Sequence, residues 1–464
     1  MSITLRPYQQ LWVEAIRAEF KAGRKRVLGQ LPTGGGKTVC FSYMAKGAME
    51  RGNRVWILAH RAELVDQISR SLGDFQVRHG FVATDLPPRP TEAVHVCSTP
   101  TLVNRMSRLK PPDFIIVDEA HHATAKNTLG RVLAANTRAR VLGVTATPSR
   151  LSGEGMGEVF QSLVVGPSVV ELMEAGALSA VKVYAPPTID TSALHLRAGE
   201  FVTSEVSQLV DTPKITGDAV EHYARLAGQR PFIAFTASVA HARSVADQFT
   251  KAGFPCMHVD GGMDRATRKR IIDDYRQHRI LGLSSCDLVS EGFDVPGIHV
   301  GISLRPTASE TLWLQQVGRC LRVCEGKDGA LILDHAGNTL RHGLPTDERD
   351  WTLEGRERAT KKGSDAVSVR VCPTCFAANR SGVAVCSSCG YAFPVTPRTV
   401  DHVEGELQEV TSVQRPQKKR RTQINPAGTL EALIELGRLR GYAKPVEWAQ
   451  HIMAARQKAK RASA

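Results

Sequence analysis

LPTGGGKT, residues 31–38, sets three consecutive glycines, a lysine and a threonine behind a proline. Such a stretch packs poorly and wraps an anion well, because residues without Cβ atoms let backbone N–H groups turn inward. RKRVLGQ (24–30) before it reads as a strand, and TVCFSYMAKGAMERG (38–52) after it reads as a helix. The loop therefore offers the positive end of a helix to the same anion. The pattern is G-x-x-x-x-G-K-[ST], a P-loop, with Leu31 in place of the first glycine. In that reading Thr33, Gly34, Gly35 and Gly36 form a phosphate cradle. Lys37 reaches the β- and γ-phosphates, and Thr38 supplies a hydroxyl to Mg²⁺. A flexible glycine loop with a chance GKT is the bland alternative.

The neighbouring stretches favour the nucleotide reading. NRVWILAH (53–60) and ARVLGVTATP (139–148) are apolar strands, and DFIIVDEAHH (113–122) is a third that runs into two adjacent acids. An acid at the C-terminal end of such a strand lies beside the P-loop in an α/β sheet. There Asp118 can hold Mg²⁺ and Glu119 can polarise the attacking water. Four strands separated by helical stretches predict a parallel sheet.

A second alternation of strand and helix starts at RPFIAFTAS (230–238). GLSSCDLVSEGFDVPGIHVGISL (282–304) joins two apolar strands through a Gly/Asp loop. LWLQQVGRCLR (312–322), read as a helix, sets Gln315, Arg319 and Arg322 on one face. This half carries no second P-loop, so it reads as a lid that brings arginines to a nucleotide held by the first half.

The chain has 464 residues, room for roughly three domains of ~150. No apolar run approaches the ~18 residues of a membrane span, and MSITLRPYQQ lacks a secretory apolar stretch. The expectation is a protein of the bacterial or phage-infected cytosol with no membrane partner. The net charge is +14, and residues 411–464 hold twelve Lys and Arg against three Glu. Such a balance suits a polyanion or a solvated tail.

Six of the ten cysteines (Cys40, Cys97, Cys256, Cys286, Cys320, Cys324) sit among apolar residues and read as small core hydrophobes. The other four make C-x2-C-x10-C-x2-C: Cys372, Cys375, Cys386 and Cys389. Two such knuckles fit a tetrahedral zinc site, with Gly390 making the closing turn. Core cysteines or a redox pair are the competing readings, and whether the module touches nucleic acid or braces the fold stays open. Residues 395–428 read as a linker containing KKRR (418–421). Leu430, Leu433, Ile434 and Leu436 predict a helix stopping near Gly441, and a second helix from Pro445 would carry Trp448 and Ile452.

Taken in order, the motifs resemble those of superfamily-2 helicases of the DEAH-box type, most similar to RadD-like and XPB-like DNA helicases of bacteria and phages. RPYQQ (6–10) resembles the adenine-reading motif, LPTGGGKT motif I, AHRAELVDQ (59–67) motif Ia and STPTL (98–102) motif Ib. DEAH (118–121) resembles motif II, TAT (145–147) motif III, SSCDLVSEGFDVPG (284–297) motif V and QQVGRCLR (315–322) motif VI. ALILDHAGNTLRHG (330–343) resembles a signature of the subgroup.

The resemblance implies two tandem RecA-like α/β lobes, with ATP, Mg²⁺ and Zn²⁺ as ligands and single-stranded or branched DNA as partner. By position, Arg6 and Gln9 read adenine, Arg319 and Arg322 act as arginine fingers, Gln315 and His121 couple the lobes, and Gly292 with Asp294 sense the nucleotide. The expected divisions are lobe 1 (1–185), a linker (186–215), lobe 2 (216–345), a zinc-ribbon-like module (346–395), a second linker (396–428) and basic C-terminal helices (429–464). The expected activity is a DNA helicase or translocase in repair, recombination or replication. A non-unwinding remodelling translocase and an ATP-gated nucleic-acid-binding module are the alternatives, with RNA left open as substrate.

Overall fold

The computed structural model describes residues 4–84, 86, 89–150, 154–185, 194–197, 200–203, 205–206, 213–286, 295, 297–354, 369–393, 430–439, 445–447, 449–450 and 453. Residues 1–395 make one compact unit and 396–464 another.

The first sheet has seven strands: β1 (Arg26–Gln30), β2 (Val55–Ala59), β3 (Gly80–Val82), β4 (Val94–Ser98), β5 (Phe114–Val117), β6 (Arg140–Thr145) and β7 (Ser162–Val165). Their order is β3-β4-β2-β5-β6-β1-β7, and every pairing is parallel. Parallel pairing needs crossovers that cover both faces, which is why these strands are apolar runs rather than alternating ones. One face packs Trp12, Ile16, Phe41 and Ile57. The other packs Leu28, Trp56, Ile115 and Phe160. Three strands (β3, β4, β7) exceed the four expected from the sequence. β3 has only three residues and β7 follows an irregular stretch, so neither carries a strong periodic signal.

The second sheet contains β8 (Val181–Tyr184), β11 (Phe232–Phe235), β12 (Cys256–Val259), β13 (Gly282–Ser285), β14 (Val300–Ser303) and β15 (Ala330–Asp334), in the order β12-β13-β11-β14-β15-β8 and again all parallel. Between β8 and β11 lies a short hairpin of β9 (Leu196–Arg197) and β10 (Glu200–Phe201). The first-lobe boundary expected at residue 185 is corrected here. Val181–Tyr184 pairs with β15, and Leu172, in the helix Val169–Glu174, packs in the second lobe's core. The crossing therefore falls just after β7. VKVY carries no local information about which sheet it joins.

Of the expected linker (186–215), the described Glu200 reaches lobe 2. Glu200 accepts the N–H of Ala308 at 2.8 Å and bonds the hydroxyl of Thr307, bracing the entry to the helix Glu310–Cys320. The ALILDHAGNTLRHG stretch has a similar bracing geometry. Asn338 accepts from Thr307 N and donates to Ser303 Oγ and Arg305 O at 2.8–2.9 Å. Buried Asp334 accepts the N–H groups of Ala336 and Thr339. Its neighbour His335 stacks on His222, and burial followed by that second imidazole pushes His335 down to about 4.

Beyond lobe 2 the chain returns to lobe 1, where Leu353 O accepts the N–H groups of Met156 and Gly157. A further hairpin, β16 (Val369–Val371) with β17 (Ala378–Arg380), carries Cys372 and Cys375 in its turn, and Cys386 and Cys389 follow it. It sits on the open edge of β8: Tyr184 bridges Ala377, Phe376 O accepts Ala185 N, and the Tyr184 hydroxyl meets Ser388 Oγ at 3.1 Å. An uncovered edge strand invites unwanted pairing, and this module covers it.

Cys40, Cys97, Cys256 and Cys320 are buried, as expected of core residues, and Cys286 and Cys324 are partly so. In the second unit Leu430–Leu439 is helical with Leu433 buried. Gly441, Trp448, Ile452 and the KKRR run lie outside the described residues. Among the described residues, no helix is long and apolar enough to cross a membrane.

Candidate functional site

The glycine loop leaves β1 and starts the helix Lys37–Met49. Gly34 and Gly36 have φ of +87° and +88°, a region that a Cβ disfavours. Gly36 is the residue that caps the helix. Leu31, which departs from the usual small residue, is fully buried beneath the loop, and its N–H donates to Thr145 O. Its carbonyl accepts Lys37 Nζ at 3.3 Å. The backbone geometry thus suits an anion at the helix N-terminus.

Gln9 is buried against this loop. Its Nε2 donates to Gly35 O at 3.2 Å, and its Oε1 accepts Arg6 N at 3.0 Å. A Cβ at position 36 would fall 2.3 Å from the same Nε2. The Tyr8 hydroxyl also donates to Gly35 O, at 3.0 Å, and burial pushes its phenol up. Sequence reasoning places Tyr8 within RPYQQ and assigns it no role. A ring next to Gln9 carries no signal that its hydroxyl will reach a carbonyl 27 residues away. Arg6 stays exposed at the start of its helix.

Asp118 and Glu119 leave β5, with β6 between that strand and β1. Asp118 is 7% exposed and accepts the N–H of Glu119 at 3.0 Å. Glu119 holds φ +48°, a left-handed conformation that costs a non-glycine residue on the order of 1–3 kcal/mol. His121 Nδ1 lies 3.0 Å from Thr145 Oγ1 and 3.4 Å from Glu119 Oε2. Thr145 in turn donates to Thr147 O at 2.9 Å. One chain of polar contacts therefore runs from the acids to the TAT stretch.

The helix Glu310–Cys320, capped by Ser309 Oγ on Leu312 N, lies against the P-loop. A Cβ on Gly318 would stand 2.5 Å from Thr33 Cβ, so only glycine allows this approach. A Cβ on Gly34 would meet Leu178 Cδ2 at 2.7 Å and Arg322 Cγ at 3.5 Å. Thr311 and Ser149 add a hydroxyl contact between the lobes at 3.5 Å. Gln315 is 4% and Arg319 7% exposed, against the usual fate of polar side chains on a helix. Gln315 Nε2 has no hydrogen-bond partner among the described residues. Arg322 does not ride on this helix as expected. The helix ends at Cys320, and Arg322 sits in the turn beyond it, partly buried. Gly292 and Asp294 lie outside the described residues. A cavity of about 280 Å³ opens beside the Thr33–Gly318 contact, with Thr147, Leu314, Asp347 and Trp351 on its walls. Thr33 of the glycine loop lines it, whereas Lys37, both acids and both arginines are not on its walls.

The four cysteine sulfurs lie within 4.8 Å of one another. Cys372 and Cys389 are 3.6 Å apart, and Cys375 and Cys386 3.7 Å. Disulfides need about 2.05 Å, whereas four sulfurs about 2.3 Å from one tetrahedral ion sit about 3.8 Å apart. Asn379 Nδ2 and Ser388 N donate to Cys386 Sγ, the kind of outer contact that orients a thiolate ligand. Gly390 makes the expected turn at φ +75°.

Residues 2–150 match the family described as the res subunit of type III restriction enzymes, and residues 218–324 match the helicase conserved C-terminal domain. A Lactococcus phage (isolate 7-9) protein, named only as a 51.5 kDa protein, is 35% identical over 82% of this chain and 81% of its own length. The chain belongs to the superfamily-2 helicases. This helicase is also 28% identical to a Saccharomyces cerevisiae protein provisionally named ATP-dependent helicase IRC3, over 72% of the chain but only 51% of the yeast protein. Among solved structures, the ATP-dependent type ISP restriction-modification enzyme LlaBIII bound to DNA aligns with a TM-score of 0.54 at 19% identity. That match covers 71% of the helicase and 28% of LlaBIII, and shows the shared two-lobe fold. The helicase is an ATP-hydrolysing enzyme that acts on nucleic acid.

Proposed function

We propose that this helicase is a motor that hydrolyses ATP between its lobes to move along DNA, single-stranded or branched, in the repair, recombination or replication of a bacterial or phage-infected cell. The observation that carries the reading is the seating of Gly318 on Thr33, which sets the arginine-bearing helix directly on the P-loop. In this reading Lys37 holds the β- and γ-phosphates, Thr38 and Asp118 would hold Mg²⁺, and Arg6 and Gln9 read adenine. Mg²⁺ held there would supply positive charge to the phosphate oxygens. Glu119 takes the proton of the attacking water as its oxygen bonds to the γ-phosphorus and the bond to the bridging oxygen breaks. Arg319 and Arg322 neutralise the charge that spreads over the transferring group. Gln315 and His121 pass the change between lobes, with Gly292 and Asp294 sensing it. Grip on the polymer is through phosphates, which carry no sequence information.

DNA is the chosen polymer because the motif set resembles that of DNA helicases. The test is ATP turnover on single-stranded DNA, forked DNA, duplex DNA and RNA of graded length, paired with strand displacement on the forks. Turnover that rises with DNA length, with forks unwound, is the expected result. Length-dependent turnover without displacement identifies a remodelling translocase. Slow turnover independent of length identifies a gated binding module, and stimulation by RNA alone removes DNA.

Zinc is proposed as the ion of the four-cysteine site, held by Cys372, Cys375, Cys386 and Cys389. A hairpin this short has little core of its own, so the metal supplies its folding energy. The purified protein should contain one zinc per chain, and a strong chelator should remove it and lower the thermal midpoint. Metal-free protein with the same midpoint and all four thiols reduced would contradict the assignment.

A further inference from the structure

The turn after the arginine helix is held from outside. Leu321 N closes the helix on Val317 O, and the carbonyls of Leu321 and Arg322 accept from groups outside the helix. Ser179 N donates to Leu321 O at 2.8 Å, and Ser179 Oγ to Arg322 O at 3.4 Å. Leu178 forms an isolated bridge with Arg322. A further partner is Lys327. Its ammonium donates to Arg322 O at 2.7 Å, to Ile298 O at 2.7 Å and to Cys320 O. An ammonium has three hydrogens, and here each has a carbonyl.

No carboxylate among the described residues pairs with this cation, and its burial pulls the ammonium down from its ordinary range. A surface lysine that merely complemented a helix dipole would keep its head in water. Lys327 instead spends its whole donor set on main chain, and one of the three carbonyls belongs to Arg322 itself. Ile298 lies two residues before β14 and Cys320 ends the arginine helix. A single point charge thus ties the strand entry, the helix end and the arginine turn together. Converging carbonyls suit a compact ammonium. A planar guanidinium, whose donors diverge, would not meet all three.

We propose that Lys327 is a positioning residue that fixes the Arg322 turn against Gly34 of the P-loop, so that Arg322 meets the transferring phosphoryl group; this rests on the reading of Arg322 as a nucleotide-site arginine. A misplacement of about 1 Å at a reacting centre costs on the order of 100-fold. Loss of the three carbonyl contacts acts on Arg322 and leaves the P-loop itself untouched.

The test is a double-mutant cycle on the full chain: Lys327→Met, Arg322→Ala and the double variant, each measured for kcat, KM for ATP and thermal midpoint. Lys327→Met keeps the aliphatic stem and is expected to lower kcat roughly 10- to 100-fold with KM within about twofold. In the Arg322→Ala background the same change is expected to cost nothing further, because it acts through the side chain already removed. Lys327→Arg should not restore turnover. Multiplying losses in the double variant, or full turnover in Lys327→Met, would overturn the proposal. Full turnover in Arg322→Ala alone would instead remove the reading of Arg322, and the positioning role with it. Should Lys327→Met fail to fold, Lys327→Gln, whose two amide hydrogens leave at least one of the three carbonyls unserved, enters the same cycle with a smaller expected loss of kcat, again absent in the Arg322→Ala background.

Discussion

Replacing Lys37 with alanine is expected to abolish nucleic-acid-stimulated ATP hydrolysis and leave the protein folded. Lys37 opens the helix Lys37–Met49, and its described polar contact is the 3.3 Å bond to Leu31 O within the same loop. Losing one such bond costs about 1 kcal/mol, and alanine is the better helix former. The fold therefore has little to lose. The chemistry has much to lose, because the positive charge at the β- and γ-phosphates disappears. ATP turnover with and without DNA, set beside the thermal midpoint of each protein, checks this. A folded variant with normal turnover would end the P-loop assignment.

Arg319→Ala should retain ATP binding and lose turnover by ~10³ to 10⁵, the range typical of an arginine finger. Arg319 comes directly after Gly318, the residue seated on Thr33, and is buried on the helix that crosses the P-loop. A long side chain in that setting also packs, so the thermal midpoint should be tracked in parallel. Arg319→Lys keeps charge and length but not the planar fork, and is expected to recover little. Fluorescent-nucleotide binding separates the two readings. Near-normal affinity with lost turnover fits a group that acts in the transition state. Lost affinity with unchanged maximal turnover would move Arg319 from the chemistry to ground-state binding.

Much of the site is legible in residue order because it depends on near neighbours. The glycine loop, the acids after an apolar strand and the paired cysteine knuckles each place their chemistry within a few residues. Spacing alone therefore states the geometry: Gly34 and Gly36 are left-handed, Asp118 and Glu119 come after β5, and the four sulfurs cluster. The resemblance to helicases rests on the order of such local patterns.

Other features needed the folded chain, because their partners are remote in sequence. VKVY reads the same whether it joins the first sheet or the second, and only its pairing with β15, nearly 150 residues on, decides. The helix expected through Arg322 stops at Cys320, and a serine at 179 and a lysine at 327 hold the turn beyond it. Gly318 would ordinarily be a weak point in a helix, yet contact with Thr33 makes it the one residue type that fits. Residue order by itself determined which chemistry the chain carries, through rules that act over one turn or one strand. The tertiary structure decided which of those groups meet, because contacts across hundreds of residues depend on the packing of both sheets together.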